Sequence, residues 1–275
     1  MNNKNIPQLI QSLLNQFNAK NFDLVVSKGN ILLKKNPGYI ILYNLVGSAY
    51  QNQGNFDKAK NYFINGLKLD PNNIAMMNNL AMSYKNLLQY DLAKNLYSKI
   101  LQINEKYINA YVNFGNLKRD LNKFDDAIEL YKKALLISKN NPIVHSSLAL
   151  AYQGLGDFEK SINFAKQALS LDKNFTRADH LISQSMKYNK NDSHYLSLNE
   201  KIKTYNTKSF EKVDLYFSLA KAEEDLGNIE QSAKYLLQGN QLKKELIKYN
   251  VNTEIKLLNE IKEKFKNYKN KELPS

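Results

Sequence analysis

The sequence repeats itself every 34 residues. Aromatic side chains recur at this interval at Phe56, Tyr90, Phe124 and Phe158. Alanine recurs at the same interval at Ala59, Ala93 and Ala127. A fixed period of this size indicates an array of stacked helix pairs, because a single pair cannot bury both of its apolar faces. At 275 residues the chain is long enough for one extended array.

The stretch 40–73 shows how one unit folds. Its first half places Tyr43, Gly47 and Tyr50 on one face of a helix, and its second half does the same for Phe56, Ala59 and Phe63. Gly47 and Ala59 are small, so two helix backbones can approach closely. Gly54 suits the turn between the helices, and Pro71 ends the second one. The unit is therefore predicted to be an antiparallel helix pair.

These residues carry a resemblance to a known family. The pattern of the tetratricopeptide repeat is matched by Tyr43, Gly47, Tyr50, Gly54, Phe56, Ala59, Phe63 and Pro71. The resemblance implies an all-α fold, a TPR-type α-solenoid in which antiparallel helix pairs form a right-handed superhelix. The repeat phase is kept over four successive units.

We predict five segments along the chain. They are a degenerate N-terminal repeat over 1–39, four repeat units over 40–175, an irregular helical connector over 176–212, a further repeat-like unit over 213–246, and a C-terminal capping helix with a tail over 247–275. The last helix is expected at about 253–268, and the tail 269–275 is expected to be disordered.

The family resemblance also implies a function. Tetratricopeptide repeats mostly build concave grooves, lined by the first helix of each pair, that hold peptides or partner proteins. A concave asparagine of the family falls on Asn79 and Asn113. An amide both donates and accepts hydrogen bonds, so a row of amides can hold a peptide backbone without reading its sequence. The candidate groove residues are Asn44, Asn78, Asn79, Asn109, Asn113, Asn116 and Arg119. The alternative interpretation is that this chain simply uses many asparagines on solvated faces.

Two other functions compete with a peptide-binding scaffold. The stretch 216–244 resembles the segment before the catalytic domain of bacterial tetratricopeptide-repeat sulfotransferases, which implies a substrate-positioning arm whose catalytic domain is absent from this chain. The formal net charge of +13 suggests a basic solenoid for anionic polymers. This charge would also favour an acidic protein partner. Nucleic acid is disfavoured because Arg119 and Arg177 are the only arginines.

The sequence contains little that points to catalysis. It has no cysteine, no phosphate-binding loop and no closely spaced pair among His145, His180 and His194. We therefore expect no enzyme activity, no cofactor and no metal site. No apolar run approaches the ~18 residues that a membrane span needs. The start of the sequence does not have the pattern of a signal peptide, so a cytoplasmic protein is expected by default.

Overall fold

The computed structural model describes residues 6–205, 208–247, 255 and 258–263. The regular secondary structure of these residues is entirely helical. The helices are α1 Ile6–Asn18, α2 Phe22–Lys35, α3 Ile40–Asn52, α4 Phe56–Leu69, α5 Ile74–Asn86, α6 Tyr90–Ile103, α7 Ile108–Asp120, α8 Phe124–Ile137, α9 Pro142–Gly154, α10 Phe158–Leu171, α11 Thr176–Ser185, α12 Ser193–Thr204, α13 Phe210–Asp225 and α14 Ile229–Leu246. The predicted all-α solenoid fold is confirmed.

The odd-numbered helices keep the sequence period. They begin at residues 6, 40, 74, 108, 142, 176 and 210, so each starts 34 residues after the one before. The segment 176–212, which we predicted as a connector, contains the pair α11 and α12 within this frame. The chain divides into two compact units, residues 1–171 and 172–275.

The core of the first unit follows the repeat phase. Phe63, Tyr97 and Tyr131 are fully buried at one phase of the even-numbered helices. Ala59, Ala93 and Ala127 are fully buried at another. An added Cβ at Gly47 would lie 2.6 Å from Phe63 Cε1, so glycine here lets α3 and α4 approach. Burial of these side chains against the neighbouring pair is what holds the array together.

Asparagine and glycine set the helix ends. Asn55, Asn73 and Asn141 cap α4, α5 and α9 with side chains that accept backbone N–H groups of the first turn. Gly54 and Gly156 occupy the left-handed backbone region after α3 and α9, with φ of 75° and 77°. These features make sharp turns inside and between the pairs.

The packing of the first unit distinguishes its two sides. The first helices contact one another from pair to pair: α3 touches α5, α5 touches α7, and α7 touches α9. In the described residues, the second helices α4, α6, α8 and α10 make no comparable contacts with each other. Helices that lie closer together mark the inner side of a curved stack, so α3, α5, α7 and α9 form an inner face.

The second unit is built around α13. Helices α11, α12 and α14 each pack against α13. Its core contains Leu198 from α12, Leu215 and Leu219 from α13, and Tyr188 from the connection between α11 and α12. These residues are nearly or fully buried.

The predicted C-terminal segments lie mostly outside the described residues. Residues 255 and 258–263 are helical, but the rest of the predicted helix 253–268 and the whole tail 269–275 are not described. Among the residues that are described, no helix combines the length and the apolar character that crossing a membrane requires.

Candidate functional site

Pairs of asparagines connect the first helices across the inner face. The amide nitrogen of Asn79 on α5 donates to Asn44 Oδ1 on α3 at 2.9 Å. The amide nitrogen of Asn113 on α7 donates to Asn78 Oδ1 on α5 at 3.0 Å. The two bonds together link three successive repeats. We call these four residues the asparagine ladder.

Other polar side chains extend the ladder toward the C-terminal ends of the same helices. Gln51 Nε2 donates to the backbone oxygen of Asn79 at 2.9 Å and to Ser83 Oγ at 3.1 Å. Lys85 Nζ lies 2.8 Å from Asp120 Oδ2. The inner face is therefore joined by side chains along most of the length of α3, α5 and α7.

The predicted groove residues lie in different surroundings. Asn44, Asn79 and Asn113 are half-buried, so part of each amide faces solvent. Asn78 is 6% exposed and is mainly a structural partner of Asn113. Asn109 is exposed on α7. Because Asn109 and Asn113 are four residues apart on one helix, they share a face.

Asn116 and Arg119 support the face rather than project from it. Tyr131 Oη donates to Asn116 Oδ1 at 2.8 Å, and Arg119 Nη1 donates to the same oxygen at 3.2 Å. Arg119 also forms an ion pair with Asp120 at 3.0 Å. Both predicted residues thus have partners within the protein.

The inner face contains few charges. Helices α3 and α9 contain no Lys, Arg, Asp or Glu, and α5 contains only Lys85. Burial alone would raise the pKa of Asp120, but hydrogen bonds from Lys85 and Arg119 lower it below its usual range. Asp120 therefore stays ionised and balances these two cations at neutral pH. The positive charge of the chain lies mainly on other surfaces.

Amide groups on this face retain hydrogen-bonding capacity. Within the part of the chain that the structure describes, Asn79 Oδ1 and Asn113 Oδ1 accept no hydrogen bond from another residue. An amide oxygen has two lone pairs, so each is available to an N–H donor. The amide nitrogen of Asn44 is similarly available as a donor.

An apolar row borders the asparagine ladder. It lies at the second residue of the inner helices α3, α5, α7 and α9, which is residue 41, 75, 109 and 143 respectively. Ile41 is 44% exposed and Ile143 is 53% exposed. Ala75 is exposed at the same phase on α5, whereas the polar Asn109 interrupts the row on α7. The inner face thus offers amide groups beside exposed aliphatic side chains.

The sequence prediction missed several of these residues. One of them is Ser48, whose hydroxyl oxygen lies 3.4 Å from the amide nitrogen of Asn79. The others are Gln51, Lys85 and Asp120, which lie on the inner face with the asparagines. A spacing of 35 residues could have identified part of the set. Asn44–Asn79, Asn78–Asn113 and Lys85–Asp120 are all polar pairs at this spacing.

The remaining interpretations concern metal binding, sulfotransfer and the binding of anionic polymers. Among the described residues, no group of three or more His, Asp or Glu side chains is placed to bind a metal ion. The interpretations as a sulfotransferase arm and as a binder of anionic polymers are not tested by the structure and stay predictions.

Comparison with protein families identifies the repeats directly. The tetratricopeptide repeat model matches residues 40–73, 74–107, 144–175 and 213–245. A second TPR repeat model matches residues 115–156. The matched ranges together cover more than half of the chain. A comparison with curated proteins gives no match.

Solved structures share the fold. A tetratricopeptide repeat protein from Parabacteroides merdae is 19% identical, with a TM-score of 0.63 over 88% of this chain and 95% of that chain. PilF of Pseudomonas aeruginosa is 19% identical, with a TM-score of 0.55 over 73% of this chain and 90% of that chain. A chain in the crystal structure of the APC/C hetero-tetramer Cut9–Hcn1 is 16% identical, with a TM-score of 0.63 over 84% of this chain and 45% of that chain. At these identities the similarity concerns the fold alone.

The repeat models, the 34-residue spacing of the first helices and the similar solved structures agree with one another. The chain therefore belongs to the tetratricopeptide-repeat family.

Proposed function

We propose that this chain is a non-enzymatic scaffold that binds an extended segment of a protein partner along the inner face of α3, α5, α7 and α9. The observation that carries the proposal is the asparagine ladder. It fixes amide groups from three repeats on a face with few charges and leaves acceptor oxygens at Asn79 and Asn113.

The ladder would bind a peptide backbone efficiently because its amides are already held in place. Asn79 and Asn113 are anchored by bonds to the preceding helix, so little side-chain freedom is lost when a ligand binds. Their free oxygens can accept backbone N–H groups, and the amide of Asn44 can donate to a backbone carbonyl. Such contacts hold an extended chain with little dependence on its side chains.

Specificity would come from the apolar row. Ile41 on α3 and Ile143 on α9 are large aliphatic side chains exposed at one phase of the inner helices. Covering an exposed aliphatic side chain contributes roughly 25 cal/mol for each Å² that is removed from water. We therefore expect the bound segment to carry uncharged apolar side chains on one side, and we expect no charged group to be required at the ladder.

The net charge would act at longer range. A net charge of +13 attracts acidic proteins and speeds their approach at low salt. The inner face itself is nearly neutral, so this steering would affect the association rate more than the contacts of the bound segment. An acidic partner with an apolar segment fits both features.

A library of displayed random peptides, selected on the wild-type chain, tests the proposal. The test variant combines Asn79→Ala with Asn113→Ala. The matched control combines Asn61→Ala with Asn95→Ala, because these asparagines lie exposed at one phase of the outer helices α4 and α6. Selected peptides should bind the control as tightly as the wild type, and should bind the test variant at least tenfold more weakly.

Asn79 and Asn113 also join neighbouring helices, so a second variant separates binding from folding. Asn109→Trp places a bulky ring on the exposed part of the face without removing any ladder bond, and Asn95→Trp is its control on the outer side. Circular dichroism melts would establish that each variant is folded. Equal binding by Asn109→Trp and Asn95→Trp would show that the inner face does not hold the peptide.

A further inference from the structure

A buried chain of hydrogen-bonding side chains runs through the second unit. His194 Nε2 lies 3.0 Å from Asp179 Oδ1, and His194 Nδ1 lies 2.6 Å from Tyr188 Oη. Tyr188 Oη lies 2.7 Å from Ser183 Oγ, which lies 3.0 Å from the backbone oxygen of Asp179. Four contacts thus connect α11, the connection after it, and the first turn of α12. We call this set the His194 chain.

Asp179 is the charged end of the His194 chain. Its side chain is completely buried, and Lys201 Nζ lies 2.8 Å from Oδ1 and 2.7 Å from Oδ2. Both oxygens therefore accept hydrogen bonds from the ammonium group. A buried carboxylate is compensated when it is paired and hydrogen-bonded, as Asp179 is by Lys201. Asp179 therefore acts as an acceptor through both oxygens and contributes no hydrogen to the His194 chain.

The four contacts of the His194 chain need four hydrogens, which Tyr188, Ser183 and His194 must supply. Each of the four contacts joins two polar atoms at hydrogen-bonding distance, so each needs one hydrogen. Burial raises the pKa of Tyr188, so the tyrosine keeps its hydroxyl hydrogen. Tyr188 and Ser183 supply one hydrogen each, and a neutral imidazole supplies only one more. Three hydrogens cannot fill four contacts, whereas an imidazolium supplies the fourth.

We propose that His194 is held as an imidazolium in the folded second unit, where it acts as a pH-sensitive clamp between α11 and α12. In this state Nε2–H donates to Asp179, Nδ1–H donates to Tyr188, Tyr188 donates to Ser183, and Ser183 donates to the Asp179 carbonyl. Loss of the ring proton leaves one contact with facing lone pairs and no hydrogen, which repels.

The electrostatic surroundings favour the cation. In addition to Asp179, carboxylates face this region from the connection and from α13. Asp192 lies beside Tyr188 in the connection, and Asp225 on α13 accepts the Tyr188 N–H at 3.1 Å. Glu223 on α13 accepts the Tyr195 hydroxyl at 2.8 Å. Asp214 on α13 accepts the Thr176 hydroxyl at 3.1 Å. The cations there are Lys201, Lys221, which is paired with Asp225, and Arg177, whose charge offsets part of the rise that burial causes in the pKa of Asp214. Among these described groups, acids outnumber bases, so an additional positive charge is stabilised.

The remaining histidines provide internal controls. His145 Nε2 lies 2.9 Å from the backbone oxygen of Lys139, and its Nδ1 is buried without a partner among the described residues. His180 Nδ1 is also buried without a partner there, and burial together with Lys243 lowers the pKa of His180. The His180 ring is not surrounded by two hydrogen-bond acceptors among the described residues, so it is expected to hold a single ring proton.

Two-bond ¹H–¹⁵N NMR spectra of the full chain test the proposal directly, because they distinguish an imidazolium from either neutral tautomer. At about pH 7.5, where an unperturbed histidine is mostly neutral, His194 should show protons on both ring nitrogens and His180 on only one. A single ring proton on His194 in the wild-type chain would overturn the proposal.

A variant tests the hydrogen count itself. Ser183→Ala removes two of the four contacts and one hydrogen, so a neutral His194 can satisfy the two that remain. His194 in this variant should lose its second ring proton at about pH 7.5. If it remained an imidazolium there, the second ring proton would not depend on the hydrogen bonds of Ser183. The wild-type spectrum decides the proposal even if the variant fails to fold.

Discussion

At the scale of single residues, the hydroxyl group of Tyr97 lacks the hydrogen-bond partner that the equivalent tyrosine, Tyr131, has in the next repeat. Tyr97 and Tyr131 occupy the same phase and are both fully buried. Tyr131 donates to Asn116 on α7, but the residue at the phase of Asn116 in the preceding repeat is Met82. In the described structure the Tyr97 hydroxyl consequently has no hydrogen-bond partner. Burial and the nearby Asp120 raise its pKa, so it stays protonated.

This difference predicts opposite effects for the same substitution. Tyr97→Phe removes an unsatisfied buried hydroxyl, and we expect it to stabilise the chain by about 1 kcal/mol. Tyr131→Phe removes a satisfied bond and should destabilise it by about 1 kcal/mol. Urea denaturation of both variants measures these changes. A loss of stability for Tyr97→Phe as large as that for Tyr131→Phe would show that the Tyr97 hydroxyl has a partner.

A second residue-scale prediction concerns Leu88. It has φ of 60°, in the left-handed region where other repeats use Gly54 and Gly156, and its side chain is 70% exposed. A leucine in this backbone conformation destabilises the folded chain by roughly 1–2 kcal/mol. Glycine removes this strain, but it also gives the unfolded chain more conformational freedom, which cancels part of the gain in stability. Leu88→Gly should therefore stabilise the chain by about 0.5–1 kcal/mol. The converse change, Gly54→Ala, should destabilise it when both are compared by thermal melting.

The sequence predicted individual residues well where they repeat and poorly where they do not. The family pattern named Asn79 and Asn113 as groove candidates, and their role in binding stays a prediction. The pattern could not show that these residues bond to Asn44 and Asn78 of the preceding repeat. Asp179 and His194 lie on either side of a non-repeating connection, so no periodic signal joins them. A clue was available, since Asp179 shares a buried helix segment with Ala178, Leu181 and Ile182.

At the scale of helices, the fully buried alanines control how closely neighbours pack. Ala127 on α8 is fully buried, whereas Lys132 on the same helix is exposed. Ala127→Trp should overpack this contact and reduce the free energy of unfolding by about 1–3 kcal/mol. Lys132→Trp is the control and should change it by less than about 0.5 kcal/mol. Equal midpoints in urea for the two variants would contradict the repeat phase that places Ala127 in the core.

Helix positions were more predictable than helix partners. The recurrence of Phe56, Tyr90 and Phe124 marks the first residue of α4, α6 and α8, because each aromatic residue follows a turn and begins a buried stripe. On α12 the apolar side chains of Tyr195, Leu198 and Ile202 share one face. This short stripe does not reveal that α12 packs on α13, and only Leu198 of this helix is fully buried.

At the scale of the whole molecule, the two compact units are expected to respond differently to pH. If His194 is an imidazolium, the folded second unit binds one proton more than its unfolded chain once the pH exceeds about 6.5. Its stability is then fully present below that pH and is lost as the pH rises, by about 1.4 kcal/mol per pH unit while the imidazolium persists. Burial lowers the pKa of His180, so the contribution of His180 to stability increases as the pH rises. This increase ends above about pH 6.5, where the histidine of the unfolded chain has lost its proton.

Hydrogen exchange followed by mass spectrometry can separate the two units within one sample. Between about pH 7.5 and pH 8.5, protection of α11 and α12, corrected for intrinsic exchange rates, should fall up to tenfold, as expected for one proton. The helices of the first unit should show no such change, because they lack the His194 chain. Ser183→Ala should abolish the pH dependence in the second unit while leaving the first unit unaltered. Protection that fell equally in both units would indicate a general effect of pH and would remove His194 as its cause.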